Sequence, residues 1–429
     1  MYALSMWFSR MGYYMVSGML LLGEAFLIYL ILFRESHDLV NLKGLFTLSW
    51  VGGQGIACFQ LSKLQSDWSD ITWLCFFLAY IGFGLGYDWK KYKSSNNRKE
   101  VPEDVTSIKK DDRTAGKLLL CILILSFLSV GCFVLEAAVV GFIPLFSDMP
   151  HAYSYFHISG VHYFTVSCIL VPAITVLYSK LRTSAERKET VILLLCNMIA
   201  VLVPILCVSR FQLLFAVGFA VVTYISVNEK IRLRTFVILI CIMVPVYVLL
   251  TVARNHDVEY LNGIFEMKNS VTPIFITQPY IYVSNNYENF NCLVEQLTQH
   301  TYGIRMLFPV FALSGLKFVF PSLVTFPIYI TKPELTTLTM FYDAYYDFGI
   351  AGIFIFSLII GCAARYLTRL SKRASNPIIY LFYGQTAIYL GLSFFTTWFS
   401  NPTTWFWFAL TLCMFWFVRY QKKGKKEDE

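Results

Sequence analysis

Arg210 is wedged in Val208-Ser209-Arg210-Phe211-Gln212, a two-residue break between two apolar segments, with no acidic neighbour. A charge at such a border is costly unless it holds something or reaches water, so it marks either a site or an interfacial anchor. Arg254 leaves an apolar segment and runs into Asn255, His256 and Asp257. Arg305 follows His300 and Tyr302 and opens another apolar stretch. A guanidinium is a planar fork that stays charged at any depth and grips phosphate oxygens in pairs. Arginines so placed can bind phosphate without a metal.

Tyr342-Asp343-Ala344-Tyr345-Tyr346-Asp347-Phe348-Gly349 is the second chemical stretch. Asp343 and Asp347 are four apart, which puts both carboxylates on one face of a helix. Tyr342, Tyr345, Tyr346 and Tyr302 offer flat rings with polar tips, surfaces suited to sugars, although aromatic belts at membrane interfaces look the same. A proton acceptor for a hydroxyl could be Asp343, Asp347, Asp257, Glu334, His256 or His300. His151, His157 and His162 are six and five apart, not the i,i+4 spacing of two metal ligands on one helical face, so a wet interfacial cluster is the better reading than a zinc site. Glu24 and Glu136 interrupt apolar segments. Each is expected to turn inward, pairing with an arginine or lining a cavity.

The elements that carry these residues must be membrane helices. The chain is 57% hydrophobic and 14% charged, with a mean hydropathy of +0.58. Too few charges are present to cover a water-soluble protein of 429 residues. Segments near 12–33, 44–62, 71–88, 117–141, 160–179, 190–208, 211–228, 235–253, 347–367, 377–397 and 403–419 approach the roughly 20 apolar residues of a span, predicting about eleven helices (10–12). The second is the weakest, because Gly52, Gly53 and Gly55 interrupt it beside Gln54. Ten of the eleven cysteines lie in apolar stretches and only Cys292 in the long polar one, with no CxxC, which predicts small core residues and no disulfides.

Basic residues set the orientation. Connections at 89–117, 180–188, 230–234, 365–373 and 419–426 hold 25 of the 35 Lys/Arg. Alternate crossings put all five on one side, the cytoplasm. The C-terminus is then cytoplasmic and the N-terminus external. On this reading the chain is one integral membrane domain over 1–429, with a basic cytoplasmic loop at 89–116 and a long external loop at 254–346 as the expected active-site region. Within that loop, 303–330 is apolar but carries Arg305, Pro309, Lys317, Pro321 and Pro327. A single crossing there would turn the 365–373 cluster outward, so it reads as re-entrant or interfacial. No P-loop, HExxH, dinucleotide fingerprint or external DxD is present, and no cytoplasmic stretch is long enough for a nucleotide-binding domain. The net charge of +8 is the positive-inside bias, not a nucleic-acid surface.

Three stretches resemble the Wzy-type family of bacterial O-antigen and capsular polysaccharide polymerases, the oligosaccharide repeat unit polymerases. They are Gly141-Phe142-Ile143-Pro144-Leu145-Phe146, Ser209-Arg210-Phe211-Gln212-Leu213-Leu214, and Thr339-Met340-Phe341-Tyr342-Asp343-Ala344-Tyr345-Tyr346-Asp347-Phe348-Gly349-Ile350-Ala351-Gly352. Their order and spacing over roughly 117–420 carry the likeness; the family's usual Asn-Thr upstream of the third is replaced by Thr336-Thr337. The resemblance implies a multi-pass protein of the bacterial cytoplasmic membrane with a GT-C-like fold. Its substrate would be an undecaprenyl-diphosphate-linked oligosaccharide at the outer face, and a chain-length regulator and a flippase of the same pathway would be partners. It implies Arg210, Arg254 and Arg305 at the diphosphate leaving group, Asp343, Asp347 or His256 at the acceptor proton, and Tyr302, Tyr342, Tyr345, Tyr346 and His300 against sugar, with no metal or cofactor. An O-antigen ligase shares the architecture and donor. A lipid-oligosaccharide flippase is the rival of another class, although transporters usually show internal repeats, which are not evident here.

Overall fold

The structure, a computed structural model, describes residues 1–89, 110–149, 152–184, 186–228, 258–269, 272–373 and 375–419. Among these residues every regular element is a helix apart from one isolated bridge, Ser62 with Met267. The helices are α1 (Tyr2–Arg10), α2 (Tyr14–Ser36), α3 (Leu42–Ala57), α4 (Asp70–Asp88), α5 (Asp112–Val140), α6 (Val161–Leu181, tightened to a 3₁₀ turn at Val166–Leu170), α7 (Arg187–Leu206) and α8 (Arg210–Asn228). They continue as α9 (Val258–Phe265), α10 (Ile274–Gln296), α11 (Phe308–Leu313), α12 (Leu316–Val319), α13 (Tyr342–Ser371), α14 (Ile378–Gly391) and α15 (Pro402–Arg419).

Seven of these are long and apolar enough to cross a membrane: α2, α4, α5, α6, α7, α8 and α13. The expectation of eleven spans is met only in part. The expected span 235–253 and most of the basic loop 89–116 lie outside the described residues. At 1.5 Å per residue, α3 (16 residues) and α14 (14 residues) fall short of a hydrocarbon core of about 30 Å. The 18-residue α15, rich in Trp and Phe, stands just outside the set.

The chain forms two compact units. The first comprises Met1–Glu103, His256–Thr368 and Thr386–Trp405. Several of its glycines are points of close approach, which corrects the reading of 44–62 as an interrupted segment. α3 is one continuous helix. Gly55 meets the backbone of Gly18 on α2, and Gly53 receives the Tyr287 ring from α10. On α4, Gly82 faces the Ser357 side chain and the Phe354 carbonyl of α13 and Gly86 its Leu358 carbonyl, while Gly361 on α13 faces the Phe83 carbonyl of α4. A Cβ at Gly86 or Gly361 would strike backbone that cannot swing away. Gly361→Val should therefore cost about 1–3 kcal/mol or more, read as a lower melting temperature in detergent. Val at Gly84, whose Cβ position meets nothing, is the control.

α10 is the helix that the sequence concealed. It lies in the expected external loop, yet its buried face carries Ser284, Asn285, Asn286, Glu288, Asn289 and Asn291. Each amide is used. Asn289 donates to the carbonyls of Leu335 (2.8 Å) and Thr337 (2.9 Å) and accepts from Thr331 N (2.9 Å). Asn286 accepts from the Thr337 hydroxyl and Asn285 from that of Thr331. Two turns on, Asn291 accepts from Ser69 N and the Thr72 hydroxyl. The 329–340 segment, and the 59–69 connection with its one bridge to Met267, are thus pinned by side chains. Tyr287, between them, donates to the Trp50 carbonyl at 3.0 Å inside a cluster with Trp50, Phe76 and Phe290.

Glu288 accepts from the Ser66 hydroxyl and from Trp68 Nε1 at 3.2 Å. Burial pushes its carboxyl up from the usual 4.5 to about 7, with the Ser66 and Trp68 bonds opposing the rise. The folded protein therefore holds a proton that the unfolded chain has released between those values. Stability should fall as pH rises through that window and level off above it, by on the order of 3 kcal/mol in all. Glu288→Gln should flatten this slope and raise the melting temperature at pH 8, followed by thermal unfolding across the pH range.

The second unit comprises Asp104–Asn255, Arg369–Gln385 and Phe406–Glu429. Here α5, α6, α7 and α8 pack side by side. Arg182 closes one end, reaching Glu189 at 2.8 Å and Asp112 at 3.2 Å. Lys117 donates to the last carbonyls of α15, Phe417 and Val418, where a cation also suits the helix dipole.

Candidate functional site

The candidate site in the first unit is built on a broken helix. α13 begins at Tyr342, but Gly349 has φ 60° and ψ −144°, so the helix is a short piece to Phe348 followed by the long span. Gly supplies this conformation without the Cβ penalty. His300 packs against the same glycine, close enough that an added Cβ would crowd its Nε2. The break frees carbonyls that residues 300–302 take up. Tyr302 N donates to the Asp347 carbonyl at 3.1 Å, and His300 Nδ1 lies 3.1 Å from that of Tyr346.

Asp347 fastens the same segment from its side chain. Fully buried, it accepts from the Thr301 hydroxyl, from Arg305 N (3.2 Å) and from Met306 N (2.8 Å). Tyr302 and Gly303, with φ 50° and 100°, bend the chain around this carboxylate. Both oxygens accept from these donors, so Asp347 clamps the turn.

That turn aims Arg305. Its Nε donates to Asp343 Oδ1 at 2.7 Å, and its guanidinium carbon lies 4.3 Å from the Tyr346 ring centre and 5.7 Å from that of Tyr342. The guanidinium stacks on tyrosine faces with one edge neutralised, an arrangement that preorganises it. Its Nη groups make no hydrogen bond among the described residues. The i,i+4 carboxylates do share a face, as their spacing predicts, but they divide the work: Asp343 holds the side chain of Arg305 and Asp347 its backbone.

The tyrosines take different places from those their composition suggests. Tyr342 is fully buried; its hydroxyl donates to the Tyr329 carbonyl (3.0 Å) and accepts from Tyr329 N (2.8 Å). Tyr345 is buried against Phe290, and Tyr346 lies beneath the guanidinium. These rings shape the setting of Arg305 and offer little face to a sugar. Tyr302, 79% exposed, and His300 are the ones at the surface. Beyond Arg305, α11 and α12 are too short to span and expose Leu307, Val310, Phe318, Val319 and Phe320.

Arg210 opens α8 in the second unit and is only 7% exposed. The residue two before it, Val208, has φ 52°, a costly conformation for a β-branched side chain. The turn into Arg210 is thus tight and strained, and the side chain is buried where a snorkelling anchor would be exposed. Arg254, His256 and Asp257 lie outside the described residues, as does His151. Glu334 is exposed on the 329–340 segment.

Glu136 turns inward as expected, at 0% exposure, and meets no arginine among the described residues; it accepts from Ile158 N (2.9 Å) and the Thr165 hydroxyl (2.8 Å), with His162 Nδ1 at 3.1 Å. Glu24 Oε2 is buried with no hydrogen-bond partner among the described residues. No group of three metal-ligating side chains occurs among the described residues. The described cysteines are free thiols. Compared with protein-family models, with curated proteins and with solved structures, the chain matches none.

Proposed function

We propose that this chain is a membrane glycosyltransferase that polymerises undecaprenyl-diphosphate-linked oligosaccharide repeat units, with Arg305 binding the diphosphate leaving group. The observation that carries this reading is the preorganised guanidinium. It is fixed by Asp343, seated on Tyr346 and aimed by a turn that Asp347 clamps, with its Nη edge unbonded among the described residues. Phosphate oxygens match that edge in geometry and charge, and charge developing on a departing diphosphate would be stabilised by a donor that need not reorganise. A carboxylate or histidine would take the proton of the acceptor hydroxyl, and the exposed Tyr302 ring would meet sugar. The three stretches similar to the polymerase family support the same reading, as do the seven helices long and apolar enough to cross a membrane. On this reading the long 254–346 region faces outward, the basic connections and the C-terminus face the cytoplasm, and α11 and α12 lie at the interface.

The test is the surface glycan of a bacterial strain lacking this gene, separated by size. Collapse of the ladder to single repeat units is expected. Long chains stranded on the lipid carrier would indicate a ligase instead, and an unchanged ladder would overturn the reading.

A further inference from the structure

The first unit holds a groove that the arginine site does not use, and every residue that builds it belongs to that unit. One wall is a pairing of backbone segments. Lys268 N donates to the Leu61 carbonyl (2.9 Å), Lys63 N to the Glu266 carbonyl (2.8 Å) and the Ser62 hydroxyl to the Phe265 carbonyl (2.6 Å). Leu61 N in turn donates to the Tyr280 hydroxyl at 2.8 Å. The other wall is the turn at Gly12 and the start of α2, Tyr14 to Val16. The Phe59 ring closes against α2 at Gly18, where an added Cβ would strike it. The space between has a volume of about 530 Å³, within the roughly 300–1,000 Å³ of small-molecule sites.

The lining joins two chemistries. Lys268 is exposed at the rim, its ammonium 5.9 Å from the Tyr14 ring centre, and makes no hydrogen bond or ion pair among the described residues. The nearby acids are engaged elsewhere: Glu266 pairs with Lys332 (2.5 Å), and Asp67 accepts from Gln60 Nε2 (3.1 Å). Among the described residues no acidic side chain lines the groove. α2 also starts here with no acid in its first turn, so its dipole adds to the positive side. The rest is apolar and leads away. From Val16, 43% exposed, the outer face of α2 continues through Met15, Met19 and Phe26, all exposed and on one face by helical period. Because α2 is long and apolar enough to cross a membrane, its first turn falls where hydrocarbon gives way to headgroups. A soluble anion would match the lysine but not the stripe, and a zwitterionic lipid the stripe but not an unopposed cation. We propose that this groove binds an anionic glycerophospholipid of the bilayer, its phosphate at Lys268 and an acyl chain passing Val16 and running along α2. The site does not rest on the polymerase reading.

The experiment uses the full chain in detergent, offered phosphatidylglycerol or phosphatidylcholine with the same acyl chains and read by native mass spectrometry. The native protein should retain phosphatidylglycerol about fivefold better, the worth of one lysine near an anionic headgroup. Lys268→Gln should lose that preference and Lys268→Arg keep it. Val16→Trp, which fills the groove without touching the charge, should weaken retention of both lipids. Lys317→Gln, a lysine of the exposed apolar α12, should change nothing. Lys268 and Val16 are both exposed, so neither variant should shift the melting temperature measured without added lipid. Equal retention of the two lipids by the native protein, or an unchanged preference in Lys268→Gln, overturns the proposal. So does stabilisation by glycerol phosphate equal to that by phosphatidylglycerol, which would make this a site for soluble anions. A dimer in the same spectra that Val16→Trp dissolves overturns it too, the occupant then being a second copy of the chain.

Discussion

Arg305→Ala is expected to abolish polymer, leaving single repeat units on the surface glycan ladder, a fall of at least about 100-fold for the loss of a preorganised donor. The substitution also strands Asp343, which is 5% exposed and has Arg305 as its charge partner. An unpaired buried carboxylate costs about 3–5 kcal/mol, so the single variant confounds function with folding. The double variant Arg305→Ala/Asp343→Asn separates the two. Removing the stranded charge should recover most of the stability, measured as melting temperature and membrane level, while the ladder stays collapsed. Arg305→Lys gives a third point. It keeps the charge but loses the planar fork and its stacking on Tyr346, so partial polymer is expected. Full-length polymer from a normally inserted Arg305→Ala protein would remove Arg305 from the chemistry.

Asp347→Ala should have the largest effect on stability. It leaves the Thr301 hydroxyl and the Arg305 and Met306 amides without their acceptor. A stranded buried donor costs about 1–3 kcal/mol, so the three sum before relaxation to roughly 3–9 kcal/mol, a sizeable share of a typical folding free energy of about 5–15 kcal/mol. Asp347→Asn should be milder, since its carbonyl still accepts while its amide opposes a donor. Hydrogen exchange locates the effect: protection should fall first in the 300–307 peptide and the start of α13, while α5 and α6 keep theirs. Because Arg305 is aimed by this turn, polymer length should shorten in step. Unchanged protection at 300–307 would show that Asp347 is not the clamp.

The legible parts of this protein are those where a local pattern has one physical solution. Apolar runs of about 20 residues have to be helices in lipid, because no water is there to satisfy the backbone. The expected segments 71–88, 117–141, 160–179, 190–208 and 211–228 recur as α4 to α8 within a few residues. The i,i+4 aspartates share a face for the same reason of period. What failed was polarity used as a proxy for a loop. α10 reads as surface because its inward face is asparagine and tyrosine, and the only sequence trace of it is the helical spacing of Tyr280, Ser284, Tyr287 and Asn291. Glycine misled in the same way: Gly52-Gly53-Gln54-Gly55 looks like a break and is a packing surface.

By itself, then, the sequence determined the solvent of most of its helices, the periods that group its side chains, and an inventory of arginines, carboxylates and histidines with too little chain for a nucleotide-binding domain. Tertiary structure decided what each of those groups does. Only the break at Gly349 and the turn at 301–306 bring Arg305, 38 residues away in the chain, to the side chain of Asp343 and turn Asp347 into a clamp. Only the packing of α6 against α5 gives His162 its carboxylate. The reason is one of range. Hydropathy and helical period act over a turn or two of chain, whereas a hydrogen bond of about 3 Å depends on where distant segments are brought together by folding.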